Sequence, residues 1–213
     1  MGTKKNNFRP PLLDDERKKY VAIGCQKCEE CLKKRSNEWR VRLIEEIKHS
    51  TGHFVTLTID NDNYEKLVKS NEFNGKIDDN SYEMQNEVAT VAIRYYMERL
   101  RKRDGKATRH WFITELGKEN TERVHLHGII FNSKNIEDDM KRWAYGNTYI
   151  GYSCSIRTIN YIIKYCSKPD EKHKGFKGKI LCSKGIGKQY IKLGKYYNKF
   201  NGENTKEYYQ LIS

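Results

Sequence analysis

The 213-residue chain contains no apolar run approaching the ~18 residues that cross a bilayer. Its start, MGTKKNNFRPPLLDDERKK, lacks the apolar segment of a secretory signal. These absences predict a soluble chain that is not secreted. Hydrophobic residues make up only 37%, against ~45–50% in average domains, which excludes a large buried core. Acidic residues are also in deficit: 28 Asp and Glu face 41 Lys and Arg, a formal charge of +13. A surplus of that sign points to a polyanionic partner. Aromatic residues at 12% and regular apolar segments nevertheless separate the chain from disordered sequences. A single domain of moderate size with no internal repeat is expected. The six Cys do not have the spacing of a disulfide framework: three cluster at Cys25, Cys28 and Cys31, and Cys154, Cys166 and Cys182 are scattered. Free or metal-bound thiols in a reducing compartment fit this distribution.

Residues up to about Tyr20 read as an extended arm through Pro10 and Pro11. The recurrence of Leu32, Trp39, Leu43, Ile44 and Ile47 predicts a helix over 29–49, ended by Ser50-Thr51-Gly52. Residues 54–59 are β-branched or aromatic and bounded by turn formers, which predicts a strand. The polar stretch 60–86 reads as a long loop with room for a short helix. A helix over 86–103 follows, then strands at 109–116 and 124–131 joined in a hairpin-like connection. A short helix at 135–144, a strand near 147–152 and a helix from Ile156 that stops before Pro169 complete the core. Beyond it the chain is rich in Lys and Gly, and only 187–197 looks helical. The order β, α, β, β, α, β, α predicts an α+β fold: an antiparallel sheet with helices on one face, of ferredoxin type.

His125-Leu126-His127 lies inside an apolar strand. Side chains alternate along a strand, so both imidazoles leave one face. On the preceding strand Trp111, Ile113 and Glu115 share a face, and a hairpin would set Glu115 beside the histidines. Two imidazoles and a carboxylate form an open site for a divalent ion such as Mg²⁺ or Mn²⁺. The plainer reading is two surface histidines and a strand-end charge. Tyr161 and Tyr165 stand one helical turn apart on one face, with Lys164 and Lys168 each about a turn from a phenol. A second pair at this spacing, Tyr145 and Tyr149, straddles the turn-like Gly146-Asn147. A phenol of pKa ~10 is a poor nucleophile at neutral pH, but a nearby cation stabilises its phenolate. Attack on a phosphodiester then breaks a DNA strand and leaves a phosphotyrosine ester that can later be resealed.

In order along the chain, these residues resemble the HUH superfamily of rolling-circle replication initiators, in particular the initiators of microviruses, phages with circular single-stranded DNA. CQKCEECLKKRSNEWRVRLIEEI is similar to the family's Cys-rich leading helix and FVTLTID to its first-strand motif. WFITELG and HLHGIIF resemble its acidic and HUH strands, NYIIKYCSKP its tyrosine helix, and CSKGIGKQYI its Gly-Ile-Gly segment. The resemblance spans residues 21–192 and implies an HUH endonuclease fold, a metal site at Glu115, His125 and His127, nucleophiles at Tyr161 and Tyr165, and assistance from Lys164 and Lys168. It implies an enzyme that nicks and rejoins single-stranded viral DNA at its origin through a 5′-phosphotyrosine, in the cytoplasm of a bacterial host, with host proteins such as a helicase as further partners.

The Cys25, Cys28 and Cys31 cluster could hold Zn²⁺ with a fourth ligand from His49, His53, Cys166 or Cys182. Basic runs supply Arg99, Arg101, Lys102, Arg103, Lys174 and Lys177 as candidate DNA contacts, with aromatic faces for stacking. The expected organisation is an arm and Cys-rich helix over 1–53, a nuclease core over 54–169 and a basic extension over 170–213 packed on it. Two other readings share parts of this pattern. An HUH transposase or relaxase has the same metal site. A zinc-knuckle module that binds single-stranded nucleic acid without catalysis accounts for the charge, the aromatic residues and the cysteines.

Overall fold

The computed structural model describes residues 28–70, 81–117, 122–167, 172–173 and 175–189. The leading arm, Cys25, Lys168, Lys174 and most of the helix expected at 187–197 lie outside these residues. Helix α1 (Glu29–Ile47) leads into β1 (Gly52–Thr58), α2 (Asn61–Lys69), α3 (Tyr82–Asp104), β2 (Arg109–Leu116), β3 (Val124–Phe131), α4 (Ile136–Met140), β4 (Thr148–Ser153), α5 (Ile156–Ser167) and β5 (Ile180–Cys182).

The hairpin strands β2 and β3 have the bounds expected from their alternation. The polar stretch after β1 holds a short helix, α2, as it had room to do, and α3 also begins within it; short polar side chains start both. Asp60 accepts the Asn63 amide at 2.8 Å and caps α2, and Ser81 accepts the Met84 amide at 3.1 Å and starts α3 four residues early. Strand β5 has no sequence signal. Its three residues are held by the edge of β2, with Trp111 opposite Cys182 and Ile113 opposite Ile180.

The sheet has the order β4-β1-β3-β2-β5, and each ladder is antiparallel. Its first four strands follow the ferredoxin-type arrangement, so the α+β architecture is as expected. One expectation is corrected: helices cover both faces. Val55, Leu57, Phe112, Leu116, Leu126 and Ile130 point to one side and pack with α3 residues such as Met84, Val88, Ala92 and Tyr96. Trp111, Ile113, Ile129 and Phe131 point to the other and pack with Leu43 of α1 and Ile159, Ile162 and Ile163 of α5. The central strands are apolar on both faces, and neither face can be left in water.

The segment after β5 is fastened to α1. The Glu46 carboxylate, almost wholly buried, accepts both Arg109 Nε at 2.5 Å and an Arg109 terminal nitrogen at 2.8 Å, together with the Gly187 amide at 2.8 Å. Gly187 has φ +64°, and a Cβ there would lie 2.5 Å from the Arg42 backbone. Only glycine meets both conditions. The Gly-Ile-Gly motif is thus a packing device, with Ile186 buried in the core between its glycines.

Candidate active site

Thr56, Thr58, Glu115, His125 and His127 share the face covered by α1 and α5. Thr56 pairs with His127, and His127 with Ile113; one register step away, Thr58 pairs with His125, and His125 with Glu115. The apolar end of this face, around Trp111 and Ile129, is sealed by the helices. Its polar end stays partly exposed, with 14% of the His127 side chain and 25% of Glu115 in contact with solvent.

Hydrogen bonds fix how the two imidazoles are presented. His125 Nδ1 lies 2.7 Å from the Arg123 carbonyl. A carbonyl only accepts, so Nδ1 carries the proton and Nε2 of the neutral ring keeps its lone pair. The same carbonyl accepts the Gly117 amide at 3.0 Å, which closes the hairpin over the ring. A Cβ on Gly117 would lie 2.7 Å from His125 Cε1, so the ring fits because that position has no side chain. His127 Nε2 lies 3.0 Å from Glu115 Oε2, and its Nδ1 lies 3.1 Å from Thr56 Oγ1.

The tyrosines of α5 lie against this group. Ile159, Ile162, Ile163 and Cys166 bury one helical face, which sets Tyr165 on the sheet and turns Tyr161 outward. The Tyr165 ring stacks on His127 with centroids 4.5 Å apart and planes 4° apart. Its hydroxyl donates to that of Tyr161 at 2.9 Å. Phe54 meets Tyr161 edge to face at 6.0 Å and lies parallel to His127 at 6.3 Å, completing an aromatic wall. Lys164 Nζ stands 5.6 Å above the Tyr161 ring. Burial pushes the Tyr165 phenol well above its usual range, and the bond to Tyr161 and the charge of Glu115 add to the shift.

The structure therefore brings together Glu115, His127, Tyr161, Tyr165 and Lys164, with His125 opposite Glu115 in the register. Among the described residues no three His, Cys, Asp or Glu side chains already converge on a common point. Glu115 and His127 pair with each other. The donor set itself fits a divalent ion: two imidazoles and a carboxylate on one partly exposed face, with the free nitrogen of His125 fixed by its neighbour. Sequence reasoning missed Thr56 and Phe54. The alternation in FVTLT places both on the face of the histidines once β1 is paired with β3, and that pairing has no local signal.

Several candidates lie elsewhere. Helix α3, on the opposite side of the sheet, holds the basic run. There Arg99 donates to the Arg142 carbonyl and to the Tyr145 hydroxyl. Arg101 pairs with Glu98, and Arg103 with Asp104, Asp138 and Asp139. These three have structural partners away from the tyrosines, whereas Lys102 and Lys177 are exposed. Tyr145 is engaged by Arg99 and Trp143, which separates it from Tyr149. Cys28 stands at the start of α1 and Cys31 in its first turn. His49 and His53 follow the far end of that 19-residue helix, about 28 Å away at 1.5 Å per residue, so neither can be their fourth ligand. Burial pushes the Cys166 thiol up to about 12.

The family model described as Replication-associated protein ORF2/G2P matches residues 52–170, more than half of the chain, from the first residue of β1 to just beyond α5. No curated protein and no solved structure matches the chain. Among the described residues no helix is long and apolar enough to cross a membrane.

Proposed function

The chain belongs to the replication-associated protein ORF2/G2P family, and from that premise we propose that it is a rolling-circle replication initiator of the HUH type, which nicks and rejoins single-stranded DNA at a viral origin. The observation that carries this reading is the stack of Tyr165 on His127, with the Tyr161 hydroxyl hydrogen-bonded to that of Tyr165. Two phenols are thereby held against an imidazole and carboxylate pair.

In the proposed reaction a tyrosine oxygen, having lost its proton, attacks the phosphorus of the scissile phosphodiester. A Tyr–O–P bond forms to the 5′ side of the break while the bond from phosphorus to the 3′ oxygen breaks. The departing 3′ oxygen takes up a proton and becomes a primer terminus. Rejoining is the same exchange in reverse, with a free 3′-hydroxyl attacking the phosphotyrosine. Two adjacent phenols allow one to hold a strand while the other cuts.

Each neighbour has a part in this. The Tyr165 hydroxyl donates to that of Tyr161, so its proton leaves through the second phenol to water. Lys164, with its Nζ 5.6 Å from the Tyr161 ring centre, can meet a phosphate oxygen. His125, His127 and Glu115 would hold a divalent ion, Mg²⁺ or Mn²⁺, which when bound supplies charge stabilisation to the phosphate. The microvirus type follows from the motif order, from the Cys-rich helix through the HUH strands to the Gly-Ile-Gly segment. With it come a bacterial cytoplasm as the setting and a host helicase as partner. Zn²⁺ at Cys25, Cys28 and Cys31 belongs to the same proposal.

The test is incubation with labelled single-stranded DNA tiling the parent replicon, with Mg²⁺ or Mn²⁺, followed by a denaturing gel and mass spectrometry. A metal-dependent adduct on the peptide containing Tyr161 and Tyr165 is expected. Tight binding with no adduct on any tile would replace this reading with a non-catalytic binding module.

A further inference from the structure

Tyr149 is the most exposed of the large hydrophobic side chains among the described residues, at 59%. It stands directly opposite Thr56 in the β1–β4 ladder, and opposite residues project to the same face. Thr56 bonds to His127, so Tyr149, Thr56 and His127 form one row across the sheet on the catalytic face. Strand β4 is an edge of the sheet, and Tyr149 lies at the open end of that row. Its neighbour on the same face is Gly151. A Cβ there would lie 2.6 Å from the Phe54 ring, so the absent side chain leaves Phe54 room to reach Tyr161. Tyr149 is thus next to the site and outside its aromatic wall.

The charge pattern around it points the same way. From residue 140 to residue 169 the chain contains no Asp or Glu, although 28 occur in the whole sequence. Both β4 and α5 lie inside that interval. On α5, Arg157, Tyr161 and Lys164 follow one another at four and three residues, the spacing of one helical face, and all three are exposed. Cation, phenol and cation therefore form an outward stripe on α5, and its Tyr161 meets Phe54 on the strand that pairs with β4. That is the composition with which proteins hold a single strand, where cations follow phosphates and aromatic faces stack on bases.

We propose that Tyr149, Arg157 and Lys164 form a track for single-stranded DNA that enters the site over β4. A base near the scissile phosphate stacks on Tyr149, and the flanking phosphates meet Arg157 and Lys164. The inference deepens the nuclease reading and rests on it. It places the strand on the β4 and α5 side, away from the basic run of α3.

The experiment measures binding of fluorescein-labelled dT20, and of a 20-unit abasic strand with the same phosphates, by anisotropy over a range of salt. Tyr149→Ala should weaken dT20 binding roughly tenfold, while Tyr149→Trp retains it. Binding of the abasic strand should be indifferent to either change. Arg157→Ala should weaken both strands and lower the salt slope by about one. Unchanged dT20 binding by Tyr149→Ala, or an equal loss on both strands, would overturn the track. Absence of a covalent adduct in the tiling assay, with Tyr149-dependent binding intact, would instead overturn the nuclease reading. The two failures are therefore distinguishable.

Discussion

Tyr165 lies flat on His127, with ring centroids 4.5 Å apart and planes 4° apart, and donates its hydroxyl to Tyr161 at 2.9 Å. The stack depends on the ring and the proposed chemistry on the oxygen, so the two can be separated. Tyr165→Phe should keep the stack and lose one hydrogen bond of about 1 kcal/mol, lowering Tm by roughly 2–4 °C. Its adduct should be confined to Tyr161, and the double change with Tyr161→Phe should give none. Mass spectrometry of the cross-linked peptide reads the result, and an undiminished adduct in the double variant would exclude both phenols.

Thr56 is the partner that orients His127 from the neighbouring strand, at 3.1 Å from Nδ1. Thr56→Val preserves shape and strand preference but removes the hydroxyl. Mn²⁺ affinity measured by calorimetry should fall by roughly tenfold, the usual effect of losing such a support, with little change in thermal stability. Unaltered affinity would show that His127 is not held for the ion.

Gly117 acts on the other imidazole through the space it leaves, since a Cβ there would lie 2.7 Å from His125 Cε1. Gly117→Ala should displace the ring and break its bond to the Arg123 carbonyl. Nitrogen chemical shifts of His125 should lose the signature of a protonated Nδ1, and Mn²⁺ should bind roughly tenfold more weakly. In a His125→Ala background the same change should have no further effect on the ion. An intact Nδ1 signature in Gly117→Ala would refute the steric argument.

Glu46 supports stability rather than chemistry. Burial alone would raise its carboxyl pKa, but the bonds from Arg109 and the Gly187 amide outweigh that and hold it below the ordinary value. A carboxyl depressed in the folded state contributes its stability above the unfolded pKa of ~4.3 and loses it as pH falls through the folded value. Arg109 keeps 36% of its side chain exposed, which screens the pair. Glu46→Gln should therefore cost about 2 kcal/mol at neutral pH, and the gap to the parent protein should close below about pH 4. Urea unfolding at several pH values measures it, and a gap independent of pH would assign the loss to shape alone.

Much of the site was legible because its signals are local. Alternation in 109–116 and 124–131 defined both hairpin strands and the face shared by Glu115, His125 and His127. The four-residue spacing of Tyr161 and Tyr165 put both phenols on one helical face. The rest was hidden because it depends on contacts distant in sequence. The first turn of α3 starts at the Ser81 cap, ahead of the apolar periodicity that marked this helix from residue 86. Strand β5 exists only because β2 offers an edge. The basic run of α3 looked like a nucleic-acid surface, yet Glu98, Asp104, Asp138 and Asp139 engage two of its arginines.

The sequence by itself determined the α+β class, the hairpin and the chemical types at its centre, because strand and helix periods assign side chains to faces without reference to the rest of the chain. The tertiary structure alone decided that both faces are covered, that Thr56 and Phe54 belong to the site, and that Tyr149 stands at its open edge. Those outcomes follow from which strands become neighbours. Loop closure and the burial of two apolar faces set that order, and no local pattern encodes it.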